Sequence, residues 1–186
     1  MIVDLVQKWI NAIIHPIETF KKEKSKADYK QAFINYALAG LIAGIMLCIS
    51  GVQITSSGTW FGNKPVFSLE TILVTLIEII IFALIAQAIL FALSKLIKGK
   101  GNYKTQFYLT SLFAVGIAGL NLALNFIGLG IFAGIYGLIL TFFAIKETHD
   151  FPLWKAFVVA IIIPITVIIL IMLTFLATMF ALPAPI

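Results

Sequence analysis

"TLIEIIIFALIAQAIL", Thr75–Leu90, holds one carboxylate, Glu78, and one amide, Gln87, in an otherwise almost wholly apolar run. The run continues on both sides from Leu69 to Leu96, and a bilayer core needs about 20 predominantly apolar residues per helix. Nothing in it alternates with the period of a half-buried strand. The stretch therefore reads as a membrane-spanning helix, and the rest of the chain follows from it. Of 186 residues, 61% are hydrophobic and 11% charged, whereas a soluble domain carries about a quarter charged residues. Such a chain cannot cover its apolar surface in water.

The expected class is all-α integral membrane: five transmembrane helices preceded by an amphipathic interfacial helix. The spans are expected near 33–54, 69–96, 106–127, 128–145 and 153–182. The third and fourth run together over more residues than one span needs, and the glycines of "NFIGLGIFAG" supply a tight hairpin between them. Asp28 with Gln31, and Ser68, stand where helix N-caps belong. Pro152 suits a first turn, and Pro164 should kink the last span.

Lysine placement gives an expected orientation. All thirteen basic residues are Lys. Lys8, Lys21, Lys22, Lys24, Lys26 and Lys30 precede the first span. Lys95, Lys98, Lys100, Lys104, Lys146 and Lys155 fall at alternate loops, leaving only Lys64 on the opposite side. By the positive-inside rule the amino terminus is expected in the cytoplasm and the carboxyl terminus outside, in the cell membrane.

Residues 1–27 form a separate unit, with 28–186 as the membrane domain. Ile2, Leu5, Val6, Trp9, Ile13, Ile17 and Phe20 recur at helical spacing, and "KKEKSK" follows. An amphipathic helix broken near Pro16 is expected, lying on lipid or packing on the bundle. Trp9, Lys21, Lys22 and Lys24 are its candidate lipid or partner contacts.

Inside the membrane, Thr71, Thr75 and Glu78 fall on one face of the second span. At 1.5 Å per residue Glu78 lies roughly 13 Å from the helix end. A charge there costs about 2.5–3.5 kcal/mol on insertion scales, which makes a neutral, hydrogen-bonded carboxyl the cheaper state. Asn121 and Asn125 on the third span are candidate partners, completing a polar cluster. Gly130, Gly134 and Gly137 give the fourth span a small-residue face for helix packing or a dimer contact.

Chemistry-bearing patterns are missing. Cys48 is the single cysteine, so no disulfide forms within the chain. His15 and His149 read as interfacial polar residues, and Glu147, His149 and Asp150 make no closed metal site. There is no His-Glu-x-x-His, no phosphate-binding glycine loop and no Gly-x-Ser-x-Gly elbow. No catalysis, cofactor or nucleic-acid partner is expected.

Three stretches resemble one family, that of the Yip (Ypt-interacting protein) domain. They are "IIHPIETFKKEK", "KGKGNYKTQFYLTSLFAVG" and "IYGLILTFFAIKETHDFPLWKAFVVAIIIP", the last ending one span in an acidic-His loop and opening a proline-containing one. The chain looks like a small, prokaryotic-type member. The resemblance implies a five-helix membrane domain acting by association, as in trafficking proteins that bind Rab-type GTPases and one another. The longer soluble amino-terminal region of eukaryotic relatives is replaced here by the short amphipathic helix. The expected function is a membrane adaptor or organiser, with lipids, a second copy or another membrane protein as partners. The alternative is a small transporter, channel or lipid-translocating protein using Glu78, Asn121 and Asn125 as a polar path.

Overall fold

The computed structural model describes residues 2–50, 52–55, 58–61, 67–125 and 127–166, together with 169, 172 and 173. The Thr75–Leu90 stretch is the middle of α4 (Leu69–Leu96), whose Ser68 side chain accepts from the Thr71 N–H and closes its first turn. Before it come α1 (Ile2–Ile14), α2 (Pro16–Glu23), a 3-10 turn (Lys24–Lys26) and α3 (Tyr29–Ile49). The Asp28 carboxylate accepts from the Gln31 N–H to start α3. After α4 follow α5 (Tyr103–Asn125) and α6 (Gly130–His149), joined by a hairpin with Gly128 at φ 73°.

Two sequence expectations are corrected. Among the described residues four helices, α3 to α6, are long and apolar enough to cross a membrane, not five. The fifth expected span, 153–182, is represented by the apolar helix α7 (Leu153–Thr166). At 1.5 Å per residue that reaches roughly 20 Å, against a hydrocarbon core of about 30 Å. The remainder of that expectation lies largely outside the described residues. Within α7 a π-helical turn at Val158–Ile162 takes the Ile163 N–H to the Val158 carbonyl just before Pro164. The second correction concerns the first span, which stops at Ile49 rather than Ile54. Val52–Thr55 instead pairs antiparallel with Gly58–Phe61 (β1 and β2), with Val52 opposite Phe61 and Ile54 opposite Thr59.

The helices pack in an order that decides every site. α3 lies between α4 and α5, and α6 covers the far side of α5. α1 rests on α5 and α2 on α6, so the first two helices fold back on the bundle. α3 meets α4 through glycine. A Cβ on Gly40 would stand 2.7 Å from the Leu76 Cα, and one on Gly44 2.8 Å from the Ile72 Cα. Those are backbone atoms, so nothing larger than hydrogen fits. Lipid offers no hydrophobic drive between helices, and close backbone approach supplies the van der Waals contact instead.

Gly40→Ala should therefore cost about 1–3 kcal/mol by forcing α3 and α4 apart. Gly134→Ala, where a Cβ meets nothing within 4 Å, should leave stability unchanged or raise it by up to about 1 kcal/mol. Thermal unfolding of the two variants in detergent micelles checks the difference.

Candidate functional site

From Thr105 to Phe113, α5 is buried without interruption, and five of those nine residues carry polar side chains. In a bundle of this composition each buried polar group must find its partner inside the protein. The Gln106 amide donates to both the backbone carbonyl (3.0 Å) and the side-chain oxygen (2.9 Å) of Gln87 on α4. A backbone carbonyl only accepts, which fixes the orientation of that amide. Gln106 Oε1 then faces His149 Nε2 at 2.9 Å, so Nε2 carries a hydrogen. One turn on, Tyr36 of α3 meets Thr110 at 2.8 Å. Beside it Asn35 donates to Ser111 (3.0 Å) and accepts from Trp9 Nε1 (3.1 Å) and Gln31 Nε2 (3.0 Å). One polar clasp thus joins α1, α3, α4, α5 and the end of α6. Phe107 fills its centre, with the rings of Tyr36 and Phe33 at 5.0 and 5.3 Å.

Two loops close over the clasp. α4 ends with Lys98 at φ 67°, and the Gly99 N–H reaches back to the Ser94 carbonyl at 2.8 Å. A Cβ on Gly99 would stand 2.5 Å from His149 Nδ1 and 2.9 Å from the Phe151 ring, while one on Gly101 would strike the Thr148 carbonyl. Lys155 donates to the Ile97 carbonyl at 3.4 Å, and the Phe151 ring stacks on His149 at 5.3 Å. The glycines of "KGKGN" are there because the "ETHDF" loop lies against them. Among the described residues, His149 Nδ1 and Thr148 Oγ1 are buried polar atoms without a hydrogen-bond partner.

The third part is the α1–α2 hairpin, which breaks at His15 ahead of Pro16. Its inner side presents Trp9, Ala12 and Ile13. Ala12 is fully buried, Ile13 lies against Gly116, and the Ile13 carbonyl accepts from Tyr136 at 2.5 Å. Glu23 is buried at the end of α2 and accepts from Lys8 (3.0 Å), Lys26 (3.1 Å) and Tyr108 (2.9 Å). Burial alone would raise its pKa, but the hydrogen bonds from Lys8, Lys26 and Tyr108 outweigh it and hold the carboxyl below its ordinary 4.5. Between α1 and α2 opens a polar cavity of about 380 Å³.

The expected polar residues come together in two pairs, Thr71 with Thr75 and Asn121 with Asn125, and not in one cluster around Glu78. Thr71 and Thr75 are buried, with the Thr75 hydroxyl donating to the Thr71 carbonyl at 2.7 Å. Glu78 is exposed, in an apolar cleft of about 500 Å³ lined by Ile79, Ile81, Phe82 and Ile85. Asn125 bonds to the carbonyl and side chain of Asn121 and touches Met46 of α3. Gly130 lies under the Asn125 side chain, Gly134 faces open space, and a Cβ on Gly137 would stand 3.6 Å from Ile117. Trp9 turns inward, Lys21 and Lys22 are exposed, and Lys24 pairs with Asp150 at 2.7 Å. Among the described residues no cluster of His, Cys, Asp or Glu has the makings of a metal site. Sequence reading passed over Glu23, Asn35, Gln106 and Tyr108. The available signal was a polar side chain every few residues at the start of an apolar span.

Gln106→Leu leaves both the Gln87 amide and His149 Nε2–H unpaired, and should destabilise by on the order of 2–3 kcal/mol, read from chemical denaturation in micelles. Glu23 gives a pH dependence of defined sign. Its folded value is depressed, so its stabilisation is complete above the unfolded 4.5 and is lost as pH falls through the folded value. Between about pH 6 and pH 3 the wild type should lose more of its unfolding midpoint than Glu23→Gln does.

No curated protein and no solved structure matches the chain. The Yip1 domain family model matches residues 10–176, which takes in the end of α1, all of α2, the clasp apart from Trp9 and both closing loops. The chain is a multi-pass α-helical membrane protein, and it belongs to the Yip1 domain family.

Proposed function

We propose that the protein acts by association in the plane of the membrane, as an adaptor or organiser without a catalytic step. The observation that carries this reading is the division of labour on α1. One side of that helix, with Trp9, Ala12 and Ile13, is used up in holding the bundle. A second side, Val3, Val6, Ile10 and Ile14, continued by Ile17, is apolar and exposed. A third side is polar, with Asp4, Gln7, Lys8 and Asn11. A helix so divided can stay packed on α5 while offering one side to lipid and another to water. Its lysine-rich surroundings favour placing this end in the cytoplasm, with residues 1–27 as an interfacial unit on the membrane domain. The open Gly134 face, flanked by exposed Ile131, Ile135 and Leu138, is the proposed surface for a second copy or another membrane helix. Solute passage along Glu78, Asn121 and Asn125 draws less support, because Glu78 faces outward while the asparagines pair with each other near α3.

Photo-crosslinking probes at Gly134 and at Trp154, exposed at the start of α7, test the reading in native membranes. Capture of a second copy or of one reproducible membrane protein is the expected result. Capture of lipid alone from both positions would overturn it.

A further inference from the structure

The cavity between α1 and α2 has a constitution that association alone does not require. Its wall carries three carboxylates, Asp4, Glu18 and Glu23, and three ammonium groups, Lys8, Lys22 and Lys26. The charges are arranged by depth. Glu23 is buried at the floor and engages one N–H of Lys8 and one of Lys26. Each ammonium has three N–H groups, so both keep donors beyond the one Glu23 uses, and a buried carboxylate holds them in place. Lys22 and Glu18 stand exposed at the rim, one turn apart on α2. The volume, about 380 Å³, is that of a small-ligand pocket.

The setting narrows the ligand. The floor lies level with Tyr108, roughly 8 Å along α5 from Tyr103 at the lysine-rich end. On α1, at about 100° per residue, Gln7 of the cavity wall borders Val3 and Ile14 of the exposed apolar stripe. A polar cleft of both charges thus adjoins a surface fit for acyl chains. A purely anionic headgroup would meet Glu18 at the rim; a headgroup with a phosphate and a primary amine satisfies both signs.

We infer that this cavity is a headgroup site for a phosphoethanolamine-type membrane lipid. Its phosphate is held by Lys8, Lys26 and Lys22, its ammonium by Glu18, and its chains run along Val3, Ile10 and Ile14. This rests on the reading that α1 lies against the bilayer. It adds a selective lipid ligand to a helix that Trp9, Ile13 and Lys8 hold on the bundle.

The full chain, purified from membranes into mild detergent, is equilibrated with equal amounts of phosphatidylethanolamine, phosphatidylcholine and phosphatidylglycerol of matched chains. Retained lipid is read by native mass spectrometry. Phosphatidylethanolamine should dominate. Glu18→Lys, an exposed change that spares the fold, should lower its ratio to phosphatidylglycerol about fivefold, the scale of one partly exposed ion pair. Equal retention of the three lipids, or a ratio indifferent to Glu18→Lys, would overturn the site. Displacement of the lipid by millimolar glycerophosphoethanolamine or inorganic phosphate would mark a soluble phosphate ligand and overturn the lipid assignment. A spin label at Ile10→Cys in bilayers separates the two levels. A label in lipid without headgroup selectivity removes this inference alone, and a label in water removes the interfacial reading with it.

Discussion

Everything in this bundle is arranged around the need to satisfy polar groups on the first half of α5. Gln106, Tyr108, Thr110 and Ser111 are buried in a chain that has little else to offer hydrogen bonds. Unpaired, each would cost on the order of 1–3 kcal/mol. Their partners come from every neighbouring element: Gln87 from α4, Tyr36 and Asn35 from α3, His149 from α6, Glu23 from α2. Apolar packing tolerates sliding of one helix past another, but a hydrogen bond across an interface does not. The clasp therefore sets register where the van der Waals contact of α3 on α4 sets distance. It also explains why α1 and α2 lie on the bundle: Trp9 and Glu23 are bonded into the same network.

The three stretches that carry the family resemblance meet in space. Gly99 and Gly101 lie under Thr148 and His149, Lys155 caps the Ile97 carbonyl, and Lys24 pairs with Asp150. The segments are distant in sequence and form one surface at the lysine-rich end. Their common task within the chain is to seal the open end of the clasp. What a partner or lipid would encounter is the outside of that seal and the exposed side of α1.

The class, the helices α3 to α6, the caps at Asp28 and Ser68 and the hairpin glycines were legible because each depends on local chemistry. The facing of residues was not. A helical wheel places Glu78 with Thr71 and Thr75, yet Glu78 is exposed and they are buried. α4 changes neighbours along its length: Ile72 and Leu76 meet α3, while Gln87 meets α5. Its buried side turns by roughly 120° between Thr75 and Gln87. The glycines that bring two helices of the bundle closest were also not the ones the spacing singled out. Gly130 and Gly134 have the spacing, but Gly40 and Gly44 have a helix against them. Spacing is a property of one helix, and contact requires two. Of the fifth run, only Leu153–Thr166 is a continuous apolar helix among the described residues, and composition gave no sign of the π-helical turn within it before Pro164. The β1–β2 pair did have a local signal, the apolar–polar alternation of Val52–Thr55 after Ser50 and Gly51, which an expected span drawn to Ile54 ran through.

The central claim is that the first helix is a fixed part of the bundle, held on α5, with one apolar side left free. A cysteine pair tests it most directly. Ile13 lies against Gly116, whereas Ile10 points away from the bundle. In native membranes, with buried Cys48 replaced by Ala, Ile13→Cys with Gly116→Cys should form an intramolecular disulfide under mild oxidation. Ile10→Cys with Gly116→Cys should not. Equal crosslinking of both pairs, or of neither, would contradict the account.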